Sequence, residues 1–373
     1  MLPALDPQAP SLADVLRSCL ESVQSAPNRL GLPAADSAIV LLIDGLGADA
    51  LRASAGHART LMSAMGKKDT IASGFPTTTA SALASLTTGL TPGQHGLVGY
   101  SVLDPQNDRV INQLTGWDDR LDPHRWQPHP TLFETAGALG LAPAAVGPAK
   151  FAESGFTRAV LRGASYVGAR SIAERLEVAA ELARTPGALV YVYVAELDQA
   201  GHAHGWQSSQ WTRALEETDA ALRSVAPTLS PRTGLLVTAD HGMLDIPQHA
   251  HVIIDDTPEL LEGVRHVAGE PRCLQLHVHD QRQTVALAQR WRVVEGERAW
   301  IATRDEAIAA GWFGVVRDDV VPRIGDVLIA ARKNVAYYLA GSSGMTMVGQ
   351  HGSWSQAELR VPLLRMGAYA RGA

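Results

Sequence analysis

The 373-residue chain has only two cysteines, Cys19 and Cys273. They lie far apart, with neither a metal nor a redox spacing, which argues against a disulfide framework. Two buried, reduced thiols are expected, and they suit a cytoplasm. A strong charge of one sign is also missing, since 32 Lys and Arg face 38 Asp and Glu for a net charge of −6. That argues against a broad surface for nucleic acid or an anionic membrane and leaves room only for a local basic pocket. No apolar run reaches the length of a membrane span. The N-terminal stretch MLPALDPQAPSLADVLRSCLESV lacks a basic start and is interrupted by Asp6 and Asp14, so no signal peptide is expected. A soluble, cytoplasmic protein follows as the expectation. The Gly-x-x-x-x-Gly-Lys loop of P-loop NTPases and the Gly-x-Ser-x-Gly elbow of Ser-His-Asp hydrolases are missing as well.

What is present reads as an α/β protein, either one large domain with an insertion or two domains. Residues 11–24 have the spacing of an amphipathic helix, with Leu12, Val15, Leu16, Cys19 and Val23 on one side. The run Ala38-Ile-Val-Leu-Leu-Ile-Asp44-Gly45 is apolar without alternation, as in a parallel strand buried on both faces, and it ends on an acid. Gly187 to Asp198 and Leu235 to Asp240 repeat that pattern. His202 follows Asp198 by four residues, so on a helix the two share a face. His241 follows Asp240 directly. Capping of a helix over 47–54 is the alternative account of Asp44. Three acids at the same edge of one sheet, where ligands gather, are hard to explain by capping. Capping boxes open helices at Thr131–Glu134 and Ser171–Glu174. From 265 to 345 the texture changes to a small α/β insertion or lid. The rest, 1–264 and 346–373, is read as a catalytic core that regains an apolar strand after Gly349-Gln-His351-Gly.

The stretch Ile71–Tyr100 places Thr77, Thr78 and Thr79 between a Phe-Pro turn and a small-residue helix. A hydroxyl at a helix start sits where unpaired N–H groups and the helix dipole hold an anionic phosphate. Such a hydroxyl needs an activator before it can act as a nucleophile. Clustered Asp and His suit Zn²⁺ and, less specifically, Mn²⁺ or Fe. Two such ions about 4 Å apart form the clamp used for in-line displacement at phosphorus. The residues alone leave open which threonine attacks. His249, His251, His277 and His279 are read as outside this group, the last two at the surface or on a lid. His95 is read as holding its own turn.

Asp44-Gly45, Pro76-Thr-Thr-Thr79 to Thr88-Gly89, Asp198…His202, Asp240-His241-Gly242 and His351-Gly352 resemble the alkaline phosphatase superfamily. Within it they are similar to the type I phosphodiesterase/nucleotide pyrophosphatase branch. The resemblance implies a three-layer α/β sandwich with a mostly parallel central sheet and a small α/β insertion. It implies that Asp44, Asp240 and His241 hold one divalent ion and Asp198, His202 and His351 another. Thr79 becomes the nucleophile by the family pattern Pro-Thr-x-Thr. The implied reaction is hydrolysis of a phosphodiester or pyrophosphate through a phospho-threonine intermediate, on a small phosphate ester or nucleotide-like substrate. The chain departs from the family at Ala80–Leu83, where Phe-Pro-Asn-His is usual, and at Tyr100, where an asparagine usually donates to a phosphoryl oxygen. Tyr100 is the candidate to donate in its place. The rivals are a phosphomonoesterase, a phosphonoacetate hydrolase-like enzyme, a phosphomutase, or an inert metal-stabilised binding protein. A sulfatase lacks its Cys/Ser-x-Pro-x-Arg segment here.

Overall fold

All seven residues of the Ser37–Ile43 strand are buried, so both of its faces need a covering layer. In the computed structural model, which describes residues 1–371, helices supply both layers. The strand pairs in parallel with Ala188–Val194 on one side and Thr233–Thr238 on the other. Ala142–Gly147 and Ser165–Gly168 extend the parallel sheet beyond the first. Arg360–Gly367 runs antiparallel beside the second, and Thr70–Ala72 completes the seven strands. Helices Ala13–Val23, Thr79–Thr88 and Leu132–Ala138 form one packed group, and Ile172–Leu182 with Ser209–Val225 form another. The architecture is the expected three-layer α/β sandwich. Gly372 and Ala373, the end of the expected core segment 346–373, lie outside the described residues. Among the described residues no helix is long and apolar enough to cross a membrane.

Both thiols are buried, and burial pushes Cys19 up to about 12, which keeps it protonated. One reading changes. The Ala188–Val194 strand stops four residues short of Asp198, which instead lies in the first turn of helix Glu196–His204. After Tyr100 the chain forms a hairpin, Ser101–Asp104 with Arg109–Asn112. Arg109 pins it by pairing with Asp104 at 3.1 Å and Asp118 at 2.6 Å.

The stretch of altered texture folds as a four-stranded antiparallel sheet, in the order Val264–Glu270, Cys273–Val278, Val327–Ala331 and Ala299–Thr303. Helix Thr284–Glu295 backs it, around Leu276, Trp291, Ile301 and Ile329. His277 is buried in this sheet rather than exposed, and burial lowers its pKa to about 4. A buried ion pair ties the small sheet to the core. Arg272 Nε donates to Glu358 Oε1 at 2.7 Å and Nη2 to Oε2 at 2.9 Å, with both side chains fully buried. Glu358 Oε1 also accepts from Ser353 N at 3.0 Å, just after His351. Phe75, which precedes the threonines, stacks on Trp354 at 4.4 Å. Replacing Arg272 strands the Glu358 charge in the interior. Arg272→Leu should therefore lower stability by about 3–5 kcal/mol in urea unfolding; a loss below about 1 kcal/mol would mean that the pair is not the joint described.

Candidate active site

Parallel register brings the acids together. Ile43 pairs with Val194, and Leu42 with Thr238, so the segments carrying Asp44, Asp198 and Asp240 leave the sheet at one edge. Asp44 caps nothing: helix Ala48–Ala53 starts at Gly47 without a side-chain bond. Instead the Tyr193 hydroxyl donates to Asp44 Oδ2, leaving Oδ1 buried and without a partner. Asp240 is divided the same way. Its Oδ1 accepts from the Gly45 and His241 N–H groups at 3.1 and 3.0 Å, while Oδ2 has no partner. Asp198 Oδ1 is a third such oxygen.

Burial and mutual repulsion raise these carboxyls. Asp44 is pushed well above the usual range by burial and then by Asp240 and Asp198, and burial takes Asp198 to about 6. Burial also raises Asp240. Three unpartnered carboxylate oxygens in a dry pocket are unfavourable unless a cation meets them.

The histidines complete the donor set. His202 Nδ1 lies 2.7 Å from the Gly349 carbonyl, His351 Nδ1 2.7 Å from the Thr77 carbonyl, and His241 Nδ1 3.1 Å from the Gly242 carbonyl. A carbonyl can only accept, so each Nδ1 carries the proton and each Nε2 is left with a lone pair. Those lone pairs converge. His202 Nε2 is 3.3 Å from both His351 Nε2 and Asp198 Oδ1, and His241 Nε2 is 3.4 Å from Asp44 Oδ1 and 3.5 Å from Asp240 Oδ2. Burial lowers His241 to about 3 and His351 well below its usual value, which keeps both neutral. This is the arrangement of metal-ligating imidazoles with carbonyl supports. Ligand atoms of Asp198, His202 and His351 lie within 4.8 Å of one another, and so do those of Asp44, Asp198 and His241. The first group matches the sequence reading; in the second, Asp198 reaches across to Asp44 and His241, with Asp240 Oδ2 beside them.

Thr79 opens the buried helix Thr79–Thr88, and its Oγ1 is 3.2 Å from His241 Nε2. Thr77 plays a different part. Its hydroxyl donates to the Ser353 carbonyl at 2.8 Å and accepts from Gly352 N at 3.1 Å, while its carbonyl takes the His351 proton. It thereby locks the Thr77–Thr79 turn to the His351 segment. Beside Thr79 opens a cavity of about 460 Å³, bordered by Asp198, His202 and His351, with Tyr100 on its wall. Tyr100 is 39% exposed and borders the cavity. His251 packs on Tyr338, and neither it nor His249 joins a metal-ligating group among the described residues. His95 holds its turn through Ser85 at 3.0 Å and Leu97 N at 3.1 Å. The sequence reading missed Tyr193, which alternation along its strand puts on the same side as Tyr191, and Glu270, which borders the cavity from the small sheet.

Residues 38–354 match the model of the type I phosphodiesterase / nucleotide pyrophosphatase family. The chain belongs to that family. It is accordingly a hydrolase of phosphoester bonds. Solved structures share its fold at low identity. Murine ectonucleotide pyrophosphatase / phosphodiesterase 5, in an inactive T72A form with AMP, has a TM-score of 0.68 at 16% identity, covering 89% of this chain and 88% of that one. The human ectonucleotide pyrophosphatase / phosphodiesterase 5 gives 0.67 at 15%, covering 90% and 91%. Phosphonoacetate hydrolase from Sinorhizobium meliloti 1021, in complex with phosphonoformate, gives 0.68 at 17%, also covering 90% and 91%. No curated protein sequence is significantly similar to the chain.

The strength of the Thr77 lock is measurable. Thr77→Val keeps the shape but leaves the Gly352 N–H and the Ser353 carbonyl unpaired in the interior. It should cost about 1–3 kcal/mol in denaturant unfolding, and an unchanged midpoint would refute the lock.

Proposed function

We propose that the chain is a two-metal phosphodiesterase in which Thr79 is the nucleophile. The observation that carries this reading is the Thr79 hydroxyl at a helix start, 3.2 Å from His241 Nε2, beside three carboxylates that each keep a buried, unpartnered oxygen. Asp198, His202 and His351 would hold one divalent ion; Asp44, Asp240 and His241 the other, with Asp198 near enough to serve both. The mixed carboxylate and imidazole set suits Zn²⁺, with Mn²⁺ or Fe as substitutes. When bound, such ions supply Lewis acidity, which lowers the pKa of a neighbouring hydroxyl and offsets charge on phosphoryl oxygens.

The chain's own residues do the rest. Thr79 Oγ1 bonds to phosphorus as the bond to the departing oxygen breaks; the Thr79 proton passes to solvent, the departing oxygen takes one up to leave as an alcohol, and the second substituent stays on a phospho-threonine ester. Water then cleaves that ester and releases a phosphomonoester. His241 is ill-suited as the base for the first step, because burial holds it at about 3. The N–H groups at the start of helix Thr79–Thr88 face the place where phosphoryl charge gathers. Tyr100, on the cavity wall, is the candidate donor to the substrate.

The preference for a diester follows from the cavity. Leu114, Leu274, Tyr337, Tyr338 and Met347 line it, which gives room and an apolar surface for a second ester substituent. The phosphonoacetate hydrolase reading is less favoured. A substrate carboxylate needs a cation, and no Lys or Arg borders this cavity among the described residues. Activity on bis-p-nitrophenyl phosphate, compared with p-nitrophenyl phosphate, tests both parts. The wild-type enzyme should favour the diester, and Thr79→Ala should lower kcat by at least about a thousandfold. Full activity in Thr79→Ala would remove the nucleophile assignment, and a preference for the monoester would remove the diesterase reading.

A further inference from the structure

Glu270 ends the Val264–Glu270 strand of the small sheet, at the cavity that Thr79 and His351 also border. It is only 5% exposed, and neither carboxyl oxygen has a hydrogen-bond partner. The contrast with its neighbour Arg272 is informative, since Arg272 is fully satisfied by Glu358 and two backbone carbonyls. The backbone is shaped to admit the Glu270 side chain. Gly352 lies against it, and a Cβ there would come within 2.5 Å of Glu270 Cγ. The preceding Gly269 carbonyl accepts from the Ser101 hydroxyl at 2.7 Å, which fixes the strand end next to Tyr100. The Thr78 hydroxyl lies beside the carboxyl and is likewise unpartnered.

A buried polar group kept without a partner costs free energy, which a ligand's donor can restore. Burial pushes the carboxyl up to about 8, with Glu358 adding to the rise and Thr78 opposing it. The group therefore favours a donor or a cation that relieves its isolation. No Lys or Arg borders the cavity among the described residues to do so, and the aromatic rings of Tyr337 and Tyr338 flank it.

We propose that Glu270 is a specificity-determining residue that binds a hydrogen-bond donor, a hydroxyl or an ammonium group, on the ester substituent that stays on phosphorus. This rests on the diesterase reading above. It narrows the substrates to phosphodiesters whose retained substituent is neutral or cationic and carries a donor. A second anionic group would meet no Lys or Arg at this cavity among the described residues.

Three p-nitrophenyl diesters test it, with ethyl, 2-hydroxyethyl or 2-aminoethyl as the second substituent. With the metal-loaded wild-type enzyme, kcat/KM should be at least about tenfold higher for the hydroxyethyl or the aminoethyl ester than for the ethyl ester. The larger of the two ratios tells which donor Glu270 reads. Glu270→Ala should bring both ratios to within about twofold of one, and Glu270→Gln should spare the hydroxyl preference while removing the ammonium preference. Equal rates on all three esters in the wild type, or a preference that survives in Glu270→Ala, would overturn the proposal. Calorimetric binding of ethyl, 2-hydroxyethyl and 2-aminoethyl phosphate reads the same ratios without turnover. If no diester is cleaved, the diesterase reading falls, and the binding ratios still decide Glu270.

Discussion

Asp44, Asp198 and Asp240 are held within reach of one another in a pocket from which water is largely removed, and much of the structure follows from that crowding. Each keeps an oxygen that no N–H or O–H of the protein approaches. Carboxylates so placed are tolerated only where a positive charge compensates them. The chain offers no Lys or Arg for that purpose among the groups that hydrogen-bond or pair with them. It offers three imidazoles instead, each fixed by a backbone carbonyl so that its free lone pair faces the same space. The repulsion among the carboxylates and the favourable donor set are two views of one arrangement.

The fold is what makes this crowding possible. Parallel pairing delivers two of the acids at the same level, and the helix directly after a third strand lifts Asp198 and His202 to meet them. His351 comes from far along the chain and needs a separate anchor. Thr77 supplies it from the threonine turn and Glu358 from the side of the small sheet. The small sheet therefore bears on the chemistry at two points: Arg272 neutralises Glu358, and Glu270 reaches the cavity.

Much of this was legible in the sequence because it rests on short-range patterns. Continuous apolar runs ending on Asp44 and Asp240 announced buried parallel strands, and the four-residue spacing of Asp198 and His202 announced a shared helix face. The six ligand candidates and Thr79 lie close together in the fold. What escaped depends on long-range packing. Glu270 sits in an unremarked strand, and only the three-dimensional approach of Gly352 brings it to the site. Tyr193 looked like a strand residue among others until its hydroxyl met Asp44, 149 residues away in sequence. His277 looked exposed because alternation in a short strand does not reveal which face a second layer covers. The hairpin after Tyr100 was hidden by strands of four residues each, too short to show a period.

The central claim is that the unpartnered oxygens and converging imidazoles form a binuclear metal centre. Elemental analysis of the purified chain, after removal of metal and reconstitution with Zn²⁺, addresses it most directly. The account predicts two tightly held ions per chain, and at most one in Asp198→Asn, since Asp198 lies within reach of both groups. A folded wild-type chain that retains no ion after reconstitution would contradict it.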